Sequence, residues 1–239
     1  MDKIRLFTLP NLLTSLNLLC GCMACVWALY GSYETVLVLV IASAVFDFFD
    51  GLVARAMHIK SRIGLELDSL ADDISFGLVP SMVVFSLLGS YDYSCIPEWA
   101  GIMLPYTAFA IAIFSALRLA KFNIDERQTT SFIGLPTPAN TLLWVALAAG
   151  CEAWLKMLSP VWLIAGVAIS SFLLVCELPM FSLKLKTMGW HDNRVRYVFV
   201  ITSLIIIALT GVKGIALAII WYILISLLLF IKQRNHVSH

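Results

Sequence analysis

Residues 47–72 read DFFDGLVARAMHIKSRIGLELDSLAD and lie between two long apolar runs. A membrane interior rejects carboxylates unless something compensates their charge, and this stretch holds four of them: Asp47, Asp50, Asp68 and Asp72. Gly51 and Ala54 follow Asp50 with small side chains, which would leave space beside the carboxylates. The stretch therefore predicts a polar site inside an otherwise apolar protein.

Helical spacing places the four carboxylates in two stripes. Asp47 and Asp50 are i,i+3 neighbours on one helix face. After a short basic break, Gly64, Asp68 and Asp72 fall at i, i+4 and i+8 and form a second stripe. Two helices joined by a short turn would bring the stripes face to face, so the four acidic groups are expected to converge.

A converging set of carboxylates is an expected site for hard divalent cations. Carboxylate oxygens suit Mg²⁺, Mn²⁺ or Ca²⁺, and the cations cancel the mutual repulsion of the ligands. Asp73 is adjacent to Asp72 but about 100° further round the helix. We therefore predict that Asp73 lies off the stripe, behind the ligands or at the interface.

The composition predicts an all-α polytopic membrane protein. The chain is 61% hydrophobic and 13% charged, with a mean hydropathy of +0.93, whereas about 25% of residues in a soluble domain are charged. Windows of about 20 apolar residues predict a bundle of about eight transmembrane helices, at residues 8–30, 34–57, 64–90, 98–122, 135–158, 160–181, 195–211 and 213–232.

The eight spans are expected to form a single integral membrane domain over residues 1–239. We place the core that contains the acidic stretch at about 1–181, and a cytoplasmic loop with two C-terminal helices at 182–239. The first apolar segment is long enough to span and contains Asn11, Thr14 and Asn17. These features favour the first helix of the mature protein over a cleavable signal.

The net charge of +1 conceals a strong asymmetry of basic residues. Lys and Arg near span ends are retained in the cytoplasm. In the eight-helix arrangement only Lys156 and Lys213 fall on one side. The other side carries the remaining fourteen of the 16 basic residues: Lys3, Arg5, Arg55, Lys60, Arg62, Arg118, Lys121, Arg127, Lys184, Lys186, Arg194, Arg196, Lys232 and Arg234. Both termini and the 47–72 turn are therefore predicted to be cytoplasmic.

A second polar concentration, SALRLAKFNIDERQTTSFIGLPTPAN, occupies residues 115–140. Arg118 and Lys121 are i,i+3 and could both face an anionic ligand, although snorkelling to lipid phosphates explains them equally well. The stretch 134–138 contains a glycine and two prolines, which indicates an irregular, rigid backbone where a span begins. An ordered re-entry at the level of an active site would use such rigidity.

Residues 47–72 follow the pattern D-x2-D-G-x2-A-R-x8-G-x3-D-x3-D, which resembles the signature of the CDP-alcohol phosphotransferase family. Three further stretches are similar to the phosphatidylserine synthase branch of that family: PNLLTSLNLLCG at 10–21, ADDISFGLVPS at 71–81, and RLAKFN with FIGLPTPAN at 118–123 and 132–140. The resemblance covers about the first 140 residues. It departs at Lys121, where an arginine is frequent, and lysine keeps the charge but loses bidentate geometry.

The resemblance implies roles for individual residues. Two divalent cations, Mg²⁺ or Mn²⁺, would be bound by the four aspartates, with Asp72 also acting as general base and Ca²⁺ as a non-productive occupant. The CDP-diacylglycerol contacts implied are Asn11, Thr14, Gly51, Ala54, Arg55 and Gly64. Candidates for binding L-serine, chosen because they end the fourth predicted helix, are Arg118, Lys121 and Asn123.

The expected reaction is transfer of the phosphatidyl group from CDP-diacylglycerol to the serine hydroxyl, giving phosphatidylserine and CMP. The resemblance also implies a homodimer in the inner membrane of a prokaryote, in contact with membrane lipids, and we expect no nucleic-acid partner. One alternative is another acceptor within the family, as in phosphatidylglycerophosphate or phosphatidylinositol synthases. The other is an ion-coupled transporter, which the missing internal repeat disfavours.

Overall fold

The computed structural model describes residues 6–58, 61–125, 132–181 and 189–237. Seven of the basic residues used to orient the chain lie outside these ranges: Lys3, Arg5, Lys60, Arg127, Lys184, Lys186 and, as a side chain, Arg234. The described residues form eight long helices: α1 (Leu9–Leu29), α2 (Tyr33–Ala56), α3 (Arg62–Gly89), α4 (Glu98–Ile124), α5 (Thr137–Met157), α6 (Pro160–Val175), α7 (Trp190–Thr210) and α8 (Val212–Val237).

The bundle confirms an all-α polytopic membrane protein. Among the described residues, six helices are long and apolar enough to cross a membrane, namely α1, α2, α3, α4, residues 193–210 of α7 and residues 212–232 of α8. Helix α6 is apolar but shorter, at 16 residues. Helix α5 is long enough but less apolar than these six helices. It contains Thr137, Asn140 and Thr141, which are buried inside the bundle.

The predicted span at 160–181 was wrong at its end, because α6 stops at Val175. The chain then turns through an extended segment, and strand β2 (Pro179–Met180) pairs antiparallel with β1 (Phe132–Ile133). Gly134 adopts a positive φ of 77° between β1 and α5. Its N–H donates to the carbonyl of Leu178 at 2.9 Å, so the strand pair fastens the start of α5 to the end of α6.

Helix starts follow local capping chemistry. Thr8 caps α1 and accepts a hydrogen bond from the Asn11 N–H at 3.3 Å, with Pro10 in the first turn. Ser61 caps α3 and accepts from the Gly64 N–H at 3.0 Å. Such caps satisfy backbone donors that have no partner within the helix. They set where α1 and α3 begin, which is the end of the bundle where the 47–72 hairpin turns.

Helix α3 contains a π-helical turn at Asp73–Leu78. Pro80 follows it, and since proline has no N–H, the carbonyl of Phe76 loses its usual helical donor. The Thr141 hydroxyl of α5 donates to that carbonyl at 2.7 Å, and both residues are fully buried. Helix α5 thus supplies the hydrogen bond that Pro80 cannot donate to the Phe76 carbonyl, and this contact fixes α5 against α3.

Replacing Thr141 by Val should lower stability by about 1 kcal/mol, because the buried Phe76 carbonyl would lose this donor. For a chain of this size the thermal midpoint should fall by about 2–4 °C, measured by thermal unfolding in detergent. Thr107→Val is the matched control, since Thr107 is exposed and its hydroxyl donates only within its own helix, to Leu104. Equal midpoints for the two variants would contradict a stabilising role of the Thr141 contact.

Candidate functional site

The 47–72 hairpin brings carboxylates of α2 and α3 together. Ligand oxygens of Asp47, Asp50 and Asp68 all lie within 4.8 Å of one another. Asp50 is buried, while Asp47 and Asp68 are half-buried. The connection is short because Met57 and His58 end α2 and Ser61 caps α3, with His58 at a positive φ of 54°. The tight turn places the two stripes opposite each other.

Helix α1 supplies polar partners to this cluster. The Thr14 hydroxyl donates to Oδ2 of Asp50 at 2.5 Å. Asn17 Nδ2 donates to Oδ1 of Asp72 at 3.1 Å, and the Asn17 side-chain oxygen accepts a hydrogen bond from Ser43. The polar face of α1 therefore holds two of the four carboxylates in fixed orientations, and Asn17 is itself held by α2.

Asp72 follows Asp68 by one turn of α3. It is not one of the three whose oxygens converge within 4.8 Å, but it is close enough to Asp47, Asp50 and Asp68 to interact with them electrostatically. Its carboxylate also interacts with the guanidinium of Arg118. Asp72 thus stands between the three converging carboxylates and a buried cation of α4.

The donor set fits a hard divalent cation. Three carboxylates converge in a partly buried place, where their like charges repel and a bound cation would compensate them. Within the described part of the chain, Oδ1 of Asp68 is buried and has no hydrogen-bond partner. An all-oxygen site of this kind suits Mg²⁺, Mn²⁺ or Ca²⁺ rather than softer metals. The cluster can therefore hold a metal.

A cavity of about 560 Å³ opens beside the carboxylates, between the start of α1 and the hairpin. Its wall is formed by Pro10, Asn11, Thr14, Asp50, Gly51, Ala54, Ser61, Arg62, Gly64, Leu65 and Asp68. Five of the six predicted CDP-diacylglycerol contacts are among these residues. The sixth, Arg55, is exposed and does not line the cavity.

Pro10, Ser61, Arg62 and Leu65 line the cavity but are absent from the sequence-based set. Ser61 and Arg62 could have been found from the capping pattern, because a serine three residues before Gly64 predicts where α3 begins. Pro10 and Leu65 carry no such signal. Gly64 is needed for space, since a Cβ there would stand 2.9 Å from Ser61 Oγ and 3.2 Å from Asn11 Oδ1.

The three candidate serine contacts occupy different surroundings. Arg118 is buried, with 7% of its surface exposed, and its Nη1 donates to the Thr137 hydroxyl at 3.4 Å. Lys121 is partly exposed and pairs with Glu177 at 2.6 Å. Asn123 is exposed and donates to Ser69 Oγ at 2.8 Å. Of the three, Arg118 is the one held in the interior beside Asp72.

Comparison with known proteins identifies the family. Residues 7–175 match the model of the CDP-alcohol phosphatidyltransferase family, which covers the hairpin, the cavity and helices α1 to α6. The match confirms the resemblance noted in the 47–72 pattern. It also favours a transferase over an ion-coupled transporter.

Several curated relatives are similar to this chain. A CDP-diacylglycerol--serine O-phosphatidyltransferase of Helicobacter pylori is 38% identical over 144 residues, which is 59% of this chain and 56% of the relative. The enzyme of the same name from Bacillus subtilis is 32% identical over 170 residues, 71% of this chain and 88% of the relative. One from Methanocaldococcus jannaschii is 32% identical over 151 residues, 63% of this chain and 65% of the relative.

The aligned part of this chain thus spans little more than half the length of the Helicobacter pylori relative. The family match is broader, because residues 7–175 make up well over half of the 239 residues. Together with the hairpin signature, these findings show that the chain belongs to the CDP-alcohol phosphatidyltransferase family.

Proposed function

We propose that this protein transfers the phosphatidyl group from CDP-diacylglycerol to the hydroxyl of L-serine, giving phosphatidylserine and CMP. The observation that carries the proposal is the cavity beside three converging carboxylates, with a buried arginine that interacts with Asp72. Relatives named CDP-diacylglycerol--serine O-phosphatidyltransferase support the choice of both substrates.

The cavity suits the nucleotide end of the donor. Asn11 and Thr14 present polar groups from α1, and Gly51, Ala54 and Gly64 keep the wall open. Arg62 adds a positive charge at the rim, where it would attract the donor's phosphates, and Arg55 stands exposed one turn after Gly51. The two acyl chains would remain in the bilayer, since the helices around the cavity are apolar enough to span it.

Asp47, Asp50, Asp68 and Asp72 would hold two divalent cations, Mg²⁺ or Mn²⁺. When bound, these would supply Lewis-acid stabilisation of charge on the phosphate oxygens and on the departing CMP. The protein's own contribution is orientation, because Thr14 fixes Asp50 and Asn17 fixes Asp72. Preorganised ligands avoid the cost of reorganising the site during reaction.

Asp72 is the proposed general base for the serine hydroxyl. A carboxylate of ordinary basicity is a weak base for an alcohol, but a partly desolvated one can take the proton as the new bond to phosphorus forms. Asn17 holds one oxygen of Asp72. Arg118 lies on the opposite side and would bind the serine carboxylate, while Lys121 and Asn123 would line its route from the aqueous surface.

The proposed placement is the inner membrane of a prokaryote, with the termini and active site in the cytoplasm. Serine and CMP are water-soluble, so an active site at the cytoplasmic face would serve both. The distribution of basic residues along the chain supports this orientation. Small residues on the helix faces would suit close packing between two copies, and we propose a homodimer.

The test is an assay of purified protein with CDP-diacylglycerol, a divalent cation and candidate alcohols. CMP release should require L-serine, and the lipid product should be phosphatidylserine. Release of CMP with glycerol 3-phosphate or inositol in place of serine would instead assign another acceptor within the family. No CMP release with any alcohol would overturn the proposal.

Metal removal should abolish transfer. Chelation by EDTA leaves the carboxylates uncompensated, so CMP release should fall to background and return on addition of Mg²⁺ or Mn²⁺. Ca²⁺ fits the same oxygen ligands with a looser geometry and should compete with Mg²⁺ without restoring activity. Full activity in EDTA would contradict a metal-dependent reaction.

A further inference from the structure

Helices α3, α4 and α5 meet around the π turn that follows Asp72. A Cβ on Gly77, in the π turn of α3, would stand 2.8 Å from Asp73 Oδ1 and 3.0 Å from Ser115 Cβ of α4. Arg118 follows Ser115 by one turn and reaches Thr137 at the start of α5. The Thr141 hydroxyl of α5 also donates to the Phe76 carbonyl in the π turn, so α5 packs against α3 at this level. Asp73 and Ser115 thus both lie against Gly77, and Arg118 lies one turn further along α4, between Asp72 and Thr137.

Polar atoms in this region are buried without partners. Among the described residues, Asp73 Oδ1, Ser115 Oγ and Arg118 Nε are buried and make no hydrogen bond, and the same is true of both amide atoms of Asn140, one turn after Thr137. Ser115 and Asn140 are fully buried, and Arg118 is 7% exposed. Buried polar atoms without a partner are costly, so their concentration in one place points to a ligand.

The unpartnered atoms have complementary charge. Arg118 offers a cationic donor and Asp73 an anionic acceptor, yet the unpartnered Arg118 Nε and Asp73 Oδ1 are not bonded to each other. A zwitterion satisfies both, since its carboxylate can bind the guanidinium and its ammonium the carboxylate. A sugar alcohol or a phosphate ester without an amine would leave Asp73 without a counter-charge. The pair therefore selects an amino acid over other alcohols.

We infer that Asp73 and Ser115 bind the ammonium group of the acceptor while Arg118 binds its carboxylate. This inference rests on the proposed function and names the residues that would make it specific for serine. Arg118 is close enough to Asp72 for their charges to interact, so an amino acid bound through its carboxylate to Arg118 would lie near the proposed base. Asn140 provides further hydrogen-bonding capacity from α5.

The test compares two compounds that differ only at the ammonium group. L-Serine is the acceptor, and 3-hydroxypropanoate, which has the same hydroxyl and carboxylate but no amine, is used as a competitor. Asp73→Asn should raise the KM for serine by about 10- to 100-fold, as expected for loss of a charged hydrogen bond. The inhibition constant of 3-hydroxypropanoate should stay at the wild-type value. Ser115→Ala should raise the KM for serine by a smaller factor and should likewise leave the inhibition constant of 3-hydroxypropanoate unchanged.

The KM for CDP-diacylglycerol and the Mg²⁺ requirement should not change in Asp73→Asn. Asp92→Asn is the matched control, because Asp92 is exposed in the connection between α3 and α4 and its substitution should leave all constants unaltered. Equal weakening of serine and 3-hydroxypropanoate would show a general structural effect and overturn the inference. A raised Mg²⁺ requirement would make Asp73 a metal ligand and also overturn it. Failure of the wild-type protein to use serine would instead reject the proposed function.

Discussion

The Asp72→Asn variant is expected to lose about 10²- to 10⁴-fold in phosphatidyl transfer, the range typical of a lost general base. Asparagine keeps the shape of aspartate, and its amide oxygen can still accept the hydrogen bond from Asn17 Nδ2. What it cannot do is accept the proton of the serine hydroxyl. The loss should therefore appear in kcat rather than in the KM for either substrate.

The same variant should fold normally and should not be less stable in EDTA. Asp72 interacts unfavourably with Asp47, Asp50 and Asp68, so removing its charge relieves repulsion when no cation compensates it. We expect a thermal midpoint equal to or above that of the wild type in EDTA. A destabilised variant would indicate that Asp72 has a structural role instead.

Mg²⁺ titration separates the two roles proposed for Asp72. If it acts chiefly as a ligand, raising Mg²⁺ should restore much of the lost activity, whereas loss of a base cannot be restored by metal. Glu66→Gln is the matched control, since Glu66 is exposed on the same helix and should retain wild-type CMP release. Near-normal CMP release from Asp72→Asn would remove Asp72 as the base.

Residue spacing anticipated the convergence of Asp47, Asp50 and Asp68, but it also placed Asp72 in the set, and Asp72 is not one of the three whose oxygens converge. The i,i+3 interval of Asp47 and Asp50 and the i,i+4 interval of Gly64 and Asp68 are local properties of a helix, and a hairpin between adjacent helices leaves few ways to pack them. Gly64 was predictable for the same reason, because it continues the stripe of Asp68. Residue periodicity thus identifies the contacting faces of two helices when those helices are adjacent in sequence.

Periodicity does not give the depth of a side chain or its distant partners. Arg118, Lys121 and Asn123 look equivalent at the end of one helix, yet Arg118 is buried and the other two are at or near the surface. The difference arises from Thr137 and Glu177, which lie far away in sequence and contact Arg118 and Lys121 respectively. Contacts of this kind depend on how α4, α5 and α6 pack.

The position of Asp73 shows a different limit. An ideal α-helix places it about 100° from Asp72, and the sequence therefore predicts a residue behind the metal stripe. The π turn beginning at Asp73 inserts an extra residue into the helical repeat. The regular rotation of about 100° per residue therefore no longer predicts which way the following side chains point. Pro80 is the local signal for such a departure, but the side to which Asp73 turns depends on Ser115 and Gly77 in the folded bundle.

Gly64→Leu is expected to reduce kcat/KM for CDP-diacylglycerol by about 100-fold or more, because a misplacement of about 1 Å near the reacting groups already costs that much. Even a Cβ at this position would stand 2.9 Å from Ser61 Oγ and 3.2 Å from Asn11 Oδ1. The rest of a leucine side chain would extend into the cavity that we assign to the nucleotide. Initial rates at varied CDP-diacylglycerol measure the effect.

Stability should not account for this loss, since leucine favours a helix more than glycine does. Gly89→Leu is the matched control on the same helix, because a Cβ at Gly89 meets nothing within 4 Å, and its kinetics should equal those of the wild type. The KM for serine should also be unchanged in Gly64→Leu, since neither Arg118 nor Asp73 lines this cavity. An unaltered KM for CDP-diacylglycerol, or an equal rise in both KM values, would contradict a nucleotide site between α1 and the hairpin.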